Sequence, residues 1–271
     1  MNYAELFHNL KRKNEIALIP FTVIGDPNYQ TSLKIVKNAI HAGADILELG
    51  FPFSDPTADG PTIQAADQRA LQSGITTDQC FEFLREVRSY SMIPIGLLIY
   101  ANLVYRYGIE EFYAKLSDIS VNSVLVADVP IEEATPFIKA ARNSAIDTVF
   151  LVSPLTTNER LTQILAQARG FIYLISRLGV TGVRNDVQDL TIKLIKQIKR
   201  KTQLPIAVGF GISNPEQVET LARTEVDGVI VGSAIVKIIE ENIDRPENIN
   251  TEIGSFIASL KNATRGSCKI S

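Results

Sequence analysis

The chain has 271 residues, 45% hydrophobic and 21% charged, with a formal charge of −3 at neutral pH. This is the composition of a globular protein with a sizeable core, at a length that suits one barrel-sized domain. It gives no basic face for nucleic acid, because the run 196–201 closes a helical pattern, where cations complement the helix dipole. The longest apolar stretch, 93–104, contains Pro94 and Asn102 and falls short of the ~20 residues of a membrane span. The N-terminus lacks the basic-then-apolar order of a secretory signal. The two cysteines, Cys80 and Cys268, have neither metal nor disulfide spacing, which fits a reducing, cytoplasmic setting.

Along the chain, short β-rich apolar runs fall at 16–25, 45–52, 94–102, 123–130, 148–153, 171–176, 205–211 and 228–234. Stretches of helical periodicity lie between them at 30–42, 77–90, 109–117, 134–143, 158–168, 187–201 and 215–223. Such alternation predicts βα units and a parallel sheet. Eight units in this length favour an α/β, single-domain (β/α)8 TIM barrel over an open doubly wound sheet. The first run is followed by no Gly-x-Gly-x-x-Gly, which also counts against the dinucleotide-binding alternative. Further helices are expected at 4–13, after Pro61 and at 250–263, so the barrel carries extra N-terminal and inserted helices. No linker divides the chain, and one domain is expected over 1–265, with 266–271 a tail without fixed structure.

A barrel of this kind places its chemistry at the C-terminal ends of the strands. In the second run, Leu47 and Leu49 point toward the helices and Glu48 points inward, because strand side chains alternate. An inward carboxylate is costly unless paired or hydrogen-bonded, so Glu48 is either a working acid or a group satisfied by buried partners. Asp59 lies on the following loop, within reach of the barrel mouth, and also reads as half of an Asp-Gly turn. The seventh run ends in Gly209-Phe210-Gly211 and the eighth in Gly232-Ser233 at the start of a helix. Glycines let backbone approach an anion, and helix-start N–H groups point at it, so the pair suggests a phosphate site; tight turns are the alternative. The segment 176–186, bracketed by Gly179 and Gly182, reads equally as a lid or as a surface loop. No strand holds a lysine for Schiff-base chemistry, and His8 and His41 belong to helices, which leaves carboxylate acid–base chemistry on a phosphorylated substrate.

Six motifs then carry a resemblance. Glu-Leu-Gly-x-Pro-Phe-Ser-Asp-Pro-x-Ala-Asp-Gly stands at 48–60, Gly-Leu-Leu-Ile-Tyr-Ala-Asn at 96–102 and Val-Leu-Val-Ala-Asp-Val-Pro at 124–130. Ser-Arg-x-Gly-Val-Thr-Gly follows at 176–182, Gly-Phe-Gly-Ile-Ser at 209–213 and Val-Gly-Ser-Ala-Ile-Val at 231–236. In this order the chain resembles the tryptophan synthase α-subunit family. The resemblance implies retro-aldol cleavage of indole-3-glycerol phosphate into indole and glyceraldehyde 3-phosphate, with Glu48 as acid/base and Asp59 as its partner. It also implies support from Tyr173 and Thr181, and phosphate binding at Gly182, Gly211, Gly232 and Ser233. Phe21, Leu98, Leu125 and Phe210 would enclose the indole ring, although each also reads as core filling. No cofactor is implied in this chain; pyridoxal phosphate would belong to a β subunit that joins it in an α2β2 tetramer and receives indole. Phe51, Pro52, Phe53, Pro56 and 102–105 suit either that partner or packing beneath the loop. Thr57 departs from the family's usual apolar residue. A related barrel, indole-glycerol-phosphate synthase, would want lysines near strand ends. A non-catalytic allosteric barrel would not keep both carboxylates.

Overall fold

The computed structural model describes residues 1–175, 184–209 and 211–265, with backbone alone for 184–190. The first half runs α1 (Tyr3–Arg12), β1 (Ala17–Val23), α2 (Tyr29–His41), β2 (Leu47–Gly50), α3 (Pro61–Gln72) and α4 (Thr77–Tyr90). It continues through β3 (Ile95–Ile99), α5 (Ala101–Tyr107), α6 (Ile109–Asp118), β4 (Ser123–Val126) and α7 (Thr135–Asn143). Next come β5 (Asp147–Thr148), β6 (Phe150–Val152), α8 (Asn158–Gln167), β7 (Ile172–Ile175) and α9 (Arg184–Lys199). The chain closes with β8 (Ile206–Gly209), α10 (Pro215–Ala222), β9 (Gly228–Val231), α11 (Ser233–Glu241) and α12 (Pro246–Ala263).

All ladders are parallel, in the order β5-β4-β3-β2-β1-β9-β8-β7-β6. The expected eight strands become nine because the run at 148–153 is broken at Val149. β5 pairs with β4 and β6 pairs with β7, while the Val149 amide still donates to Val124 O at 3.1 Å. Consecutive residues thus join the two ends of the sheet, and the barrel is nearly closed. Strands such as β1, β2, β8 and β9 are buried along their whole length, as expected where helices cover one face and side chains fill the other.

Other boundaries shift for local reasons. The run read as one strand over 94–102 stops at Ile99, and α5 begins at Ala101; Gly108, at φ 95°, ends that helix in a conformation glycine adopts freely. The last helix starts at Pro246 rather than 250, with proline at the first turn, where its missing N–H is harmless. Its Ile249, Ile253, Ile257 and Leu260 are fully buried, and it packs on α2, α10, α11 and β1. α1 closes the bottom: the Tyr3 hydroxyl lies 2.7 Å from Ser123 Oγ, in space left by Gly96, where a Cβ would sit 3.1 Å from that hydroxyl. Among the described residues no helix is long and apolar enough to cross a membrane.

Candidate active site

β2 is only four residues long, and it buries Glu48 among its strand neighbours. Glu48 pairs in register with Phe21 of β1 and Gly96 of β3. It is 4% exposed, and its Oε2 accepts no hydrogen bond from any described residue. Burial, reinforced by the negative charge of Asp59, pushes its carboxyl up to about 8. At neutral pH the group is therefore mainly the neutral acid, able to give a proton and then take one back. Of the two sequence alternatives for Glu48, satisfaction by buried partners is the one this geometry disfavours.

Asp59 stands on the β2–α3 loop. Its Oδ2 accepts the Tyr100 hydroxyl at 2.5 Å, and the same hydroxyl accepts from the Ala58 amide at 3.2 Å. Burial raises the Asp59 carboxyl, and the Tyr100 bond opposes that rise. Its amide also donates to Pro56 O at 3.0 Å, so the turn lies over 56–59 rather than at the Asp59-Gly60 pair, where Gly60 is the extended N-cap of α3. Tyr173 of β7 is buried, and its phenol is raised far above its usual range by burial, then by the charges of Glu48 and Asp59. These three side chains, from β2, β7 and one loop, share a common electrostatic environment.

The apolar residues line the adjoining layer. Gly50, Leu98 and Leu125 are successive register partners across β2, β3 and β4. Phe21 occupies space that two glycines leave open: a Cβ at Gly50 would sit 3.0 Å from Phe21 Cζ, and one at Gly232 3.1 Å from Cδ1. Leu98 is half-buried, and Leu125 and Phe21 are buried. The two phosphate-loop candidates lie side by side, since β8 and β9 are parallel neighbours. Gly211 is exposed at φ 77°, and Gly232 caps α11 with no side-chain hydrogen bond. The α11 ladder begins at Ile235, whose amide donates to Gly232 O at 2.8 Å, so the N–H groups at exposed Ser233 and at Ala234 precede it. Gly209 has a different duty: a Cβ there would come within 2.6 Å of the Tyr173 ring. Thr181, Gly182 and Phe210 lie outside the described residues, as does the rest of 176–183 and the tail 266–271.

Of the surface candidates, Phe51, Pro52 and Pro56 are buried, with Phe51 packed edge-on against Phe81 and Phe112. Packing beneath the loop accounts for them. Asn102 and Tyr105, on α5, are exposed, and Phe53 is half-buried. His8 and His41 are exposed on their helices. Two polar residues of the site were not singled out in the sequence. Tyr100 lies inside a quoted motif and shows only its contact with Asp59 as a signal. Asp67 on α3 is buried, and its signal was an acid on the apolar face made by Ile63, Ala66 and Ala70.

Comparison with known proteins finds a likeness over nearly the whole chain. The family model described as tryptophan synthase alpha chain matches residues 7–265. The tryptophan synthase alpha chain of Methanothermobacter thermautotrophicus is 48% identical over 263 residues, covering 97% of this chain and 96% of that one. The corresponding chain of Enterobacter sp. strain 638 is 50% identical over 264 residues, 97% and 98% of the two. Among solved structures, tryptophan synthase subunit alpha from Legionella pneumophila superposes with a TM-score of 0.89 at 31% identity, covering 97% and 98%. A Mycobacterium tuberculosis tryptophan synthase structure gives 0.87 at 30% identity, also covering 97% and 98%. With a buried acid and a loop carboxylate at the mouth of a (β/α)8 barrel, and this likeness along its length, the chain belongs to the tryptophan synthase alpha chain family of lyases.

Proposed function

We propose that this chain cleaves indole-3-glycerol phosphate to indole and glyceraldehyde 3-phosphate in a retro-aldol reaction, with its own side chains as the only catalysts. The observation that carries the reading is Glu48: buried, with one oxygen free of described partners, and held in the protonated form near neutrality. Its proton goes to indole C3, which gives an indoleninium-like cation. The resulting carboxylate takes the proton of the 3′-hydroxyl as the carbon–carbon bond breaks, so Glu48 ends as it began and the electrons return to the indole ring. Asp59 accepts a hydrogen bond from the indole N–H and stabilises the positive charge that develops there. Tyr173 shapes the pocket beside Glu48, while Phe21, Leu98 and Leu125, with Phe210, enclose the ring. Gly211, Gly232 and Ser233, with Gly182, bind the phosphate, favoured by the start of α11. Thr181, which follows β7 in the sequence, closes onto Asp59.

The same reading gives the chain a β-subunit partner that carries pyridoxal phosphate, joins it as an α2β2 tetramer in the cytoplasm and receives the indole. Exposed Asn102 and Tyr105, beside the Asp59 loop, suit that contact. The deciding assay is release of indole from indole-3-glycerol phosphate by the purified chain, with and without a β subunit. Release that millimolar glycerol phosphate inhibits is the expected result. No indole in either condition overturns the reading.

A further inference from the structure

The helix after the Asp59 loop carries a carboxyl that the proposed chemistry does not use. Asp67 is 4% exposed, on the face of α3 that otherwise buries Ile63, Ala66 and Ala70. Its Oδ1 accepts the Phe53 amide at 3.3 Å, and its Oδ2 accepts no bond from any described residue. Burial and the charge of Asp59 push the carboxyl up to about 7, with a smaller rise from Asp26, against the Phe53 amide, which lowers it. Asp26 is itself clamped by Arg69 of α3 at 2.7 and 2.9 Å, and Arg69 also lies 3.9 Å from Glu240 of α11. Among the described residues, the cation of this group is thus committed elsewhere. An acidic side chain kept at an apolar position without a cation of its own calls for another reason.

The contacts around Asp67 supply one. Its acceptor oxygen holds the Phe53 amide. The Phe53 ring stacks on Tyr100, with centroids 5.1 Å apart and planes 23° from parallel. The Tyr100 hydroxyl then donates to Asp59 and receives the Ala58 amide. The loop is therefore gripped near both ends, and the carboxylate at its far end is reached through three residues in series.

We infer that Asp67 is a positioning residue for Asp59: its Oδ1 fixes the Phe53 backbone, Phe53 fixes the Tyr100 ring, and Tyr100 fixes the carboxylate beside Glu48. It touches no substrate. The inference rests on the role proposed above for Asp59. Below neutrality the carboxyl is mainly uncharged, so asparagine matches both its shape and its charge and keeps the acceptor oxygen, whereas alanine removes it.

The test runs at about pH 6, with indole-3-glycerol phosphate turnover and amide hydrogen exchange over 53–59 measured on the same intact variants. Asp67→Ala lowers kcat about tenfold or more, as a displaced catalytic group does, with little change in KM, because the phosphate loops lie on other strands. It also speeds exchange across 53–59. Asp67→Asn restores at least about a third of wild-type kcat and restores slow exchange. Tyr100→Phe cuts the same series at its other end, and the double variant Asp67→Ala/Tyr100→Phe is no slower than the worse single one. Additive losses, or an asparagine variant as impaired as alanine, overturn the inference. So does a folded alanine variant with wild-type turnover and exchange. If Asp67→Ala does not fold, Asp67→Leu takes its place: it keeps bulk on the apolar face without the acceptor oxygen, should lose kcat and speed exchange over 53–59 in the same way, and overturns the inference if both stay at wild-type values. Hydrogen exchange needs no substrate, so it judges the anchor even if indole release fails in the wild type.

Discussion

At the scale of single residues, Glu48 shows reactivity and stability drawn in opposite directions. Its carboxyl rises from an ordinary 4.5 to about 8 in the folded chain. Below the lower value both states hold the proton. Between the two, the folded state keeps a proton that the unfolded state has released, so stability falls as pH rises, and above about 8 the whole penalty is present. Each unit is worth about 1.4 kcal/mol, which makes this a penalty of several kcal/mol at its upper limit. Glu48→Gln removes the ionisable group and keeps the shape. The variant should melt above the wild type at alkaline pH, with the gap closing toward acid, as read from thermal unfolding across pH. The same substitution should slow indole release by about 10²-fold or more, since the proton relay is gone. A variant that is neither more stable at high pH nor slower would remove Glu48 from the site.

At the scale of elements, the end of β8 shows that two glycines of one motif can have different surroundings. Gly209 sits in a motif read for phosphate, yet its missing side chain makes room for Tyr173 on the neighbouring strand. Gly209→Ala should cost about 1–3 kcal/mol through overpacking and lower kcat by displacing the phenol from beside Glu48. In a Tyr173→Ala background the same alanine should cost much less, and denaturant unfolding of the four proteins measures that coupling. Equal costs in both backgrounds would mean that Tyr173 is not what Gly209 accommodates. The alternation of apolar runs and helical stretches was legible in the sequence because periods of 2 and 3.6 are local properties. The inward direction of Glu48 followed from strand parity alone. What Gly209 faces, and that Phe51 and Pro56 turn inward, depends on which strand or helix lies opposite, and periodicity holds no information about that. Tyr100 and Asp67 escaped for the same reason: 41 residues separate Tyr100 from the Asp59 it holds, and 14 separate Asp67 from Phe53.

At the scale of the molecule, α12 is tied to the segments that lead into β1 and β2. Lys261 of α12 binds Asp45 at 2.8 Å and Glu15 at 3.0 Å, and Glu15 bridges to Arg265. Burial raises the Asp45 carboxyl, and Lys261 is the main influence lowering it. Lys261→Ala should therefore leave a largely buried carboxyl with the Leu18 amide but without its cation, at a cost of about 3 kcal/mol, seen as a Tm lower by several degrees and with no effect on the substrate site. The break at Val149 has a consequence of another kind. On one side the barrel is held by β1, a seven-residue strand paired with both β2 and β9. On the other it is held by the chain passing through Val149 and by single bonds, the Val149 amide to Val124 O at 3.1 Å and the Arg169 amide to Thr148 O at 2.9 Å, with β5 laddered only to β4 and β6 only to β7. The molecule is a clasp, with a spine at β1 and a seam at Val149. Glu48 rides on one cover, and Tyr173 with the glycines after β8 and β9 rides on the other. A motion at the seam would change the distance between Glu48 and the segments after β8 and β9 while leaving each cover intact. If the seam is the weaker side, the amides of β5 and β6 should exchange with solvent faster than those of β1, and equal rates would mean a barrel held evenly all round.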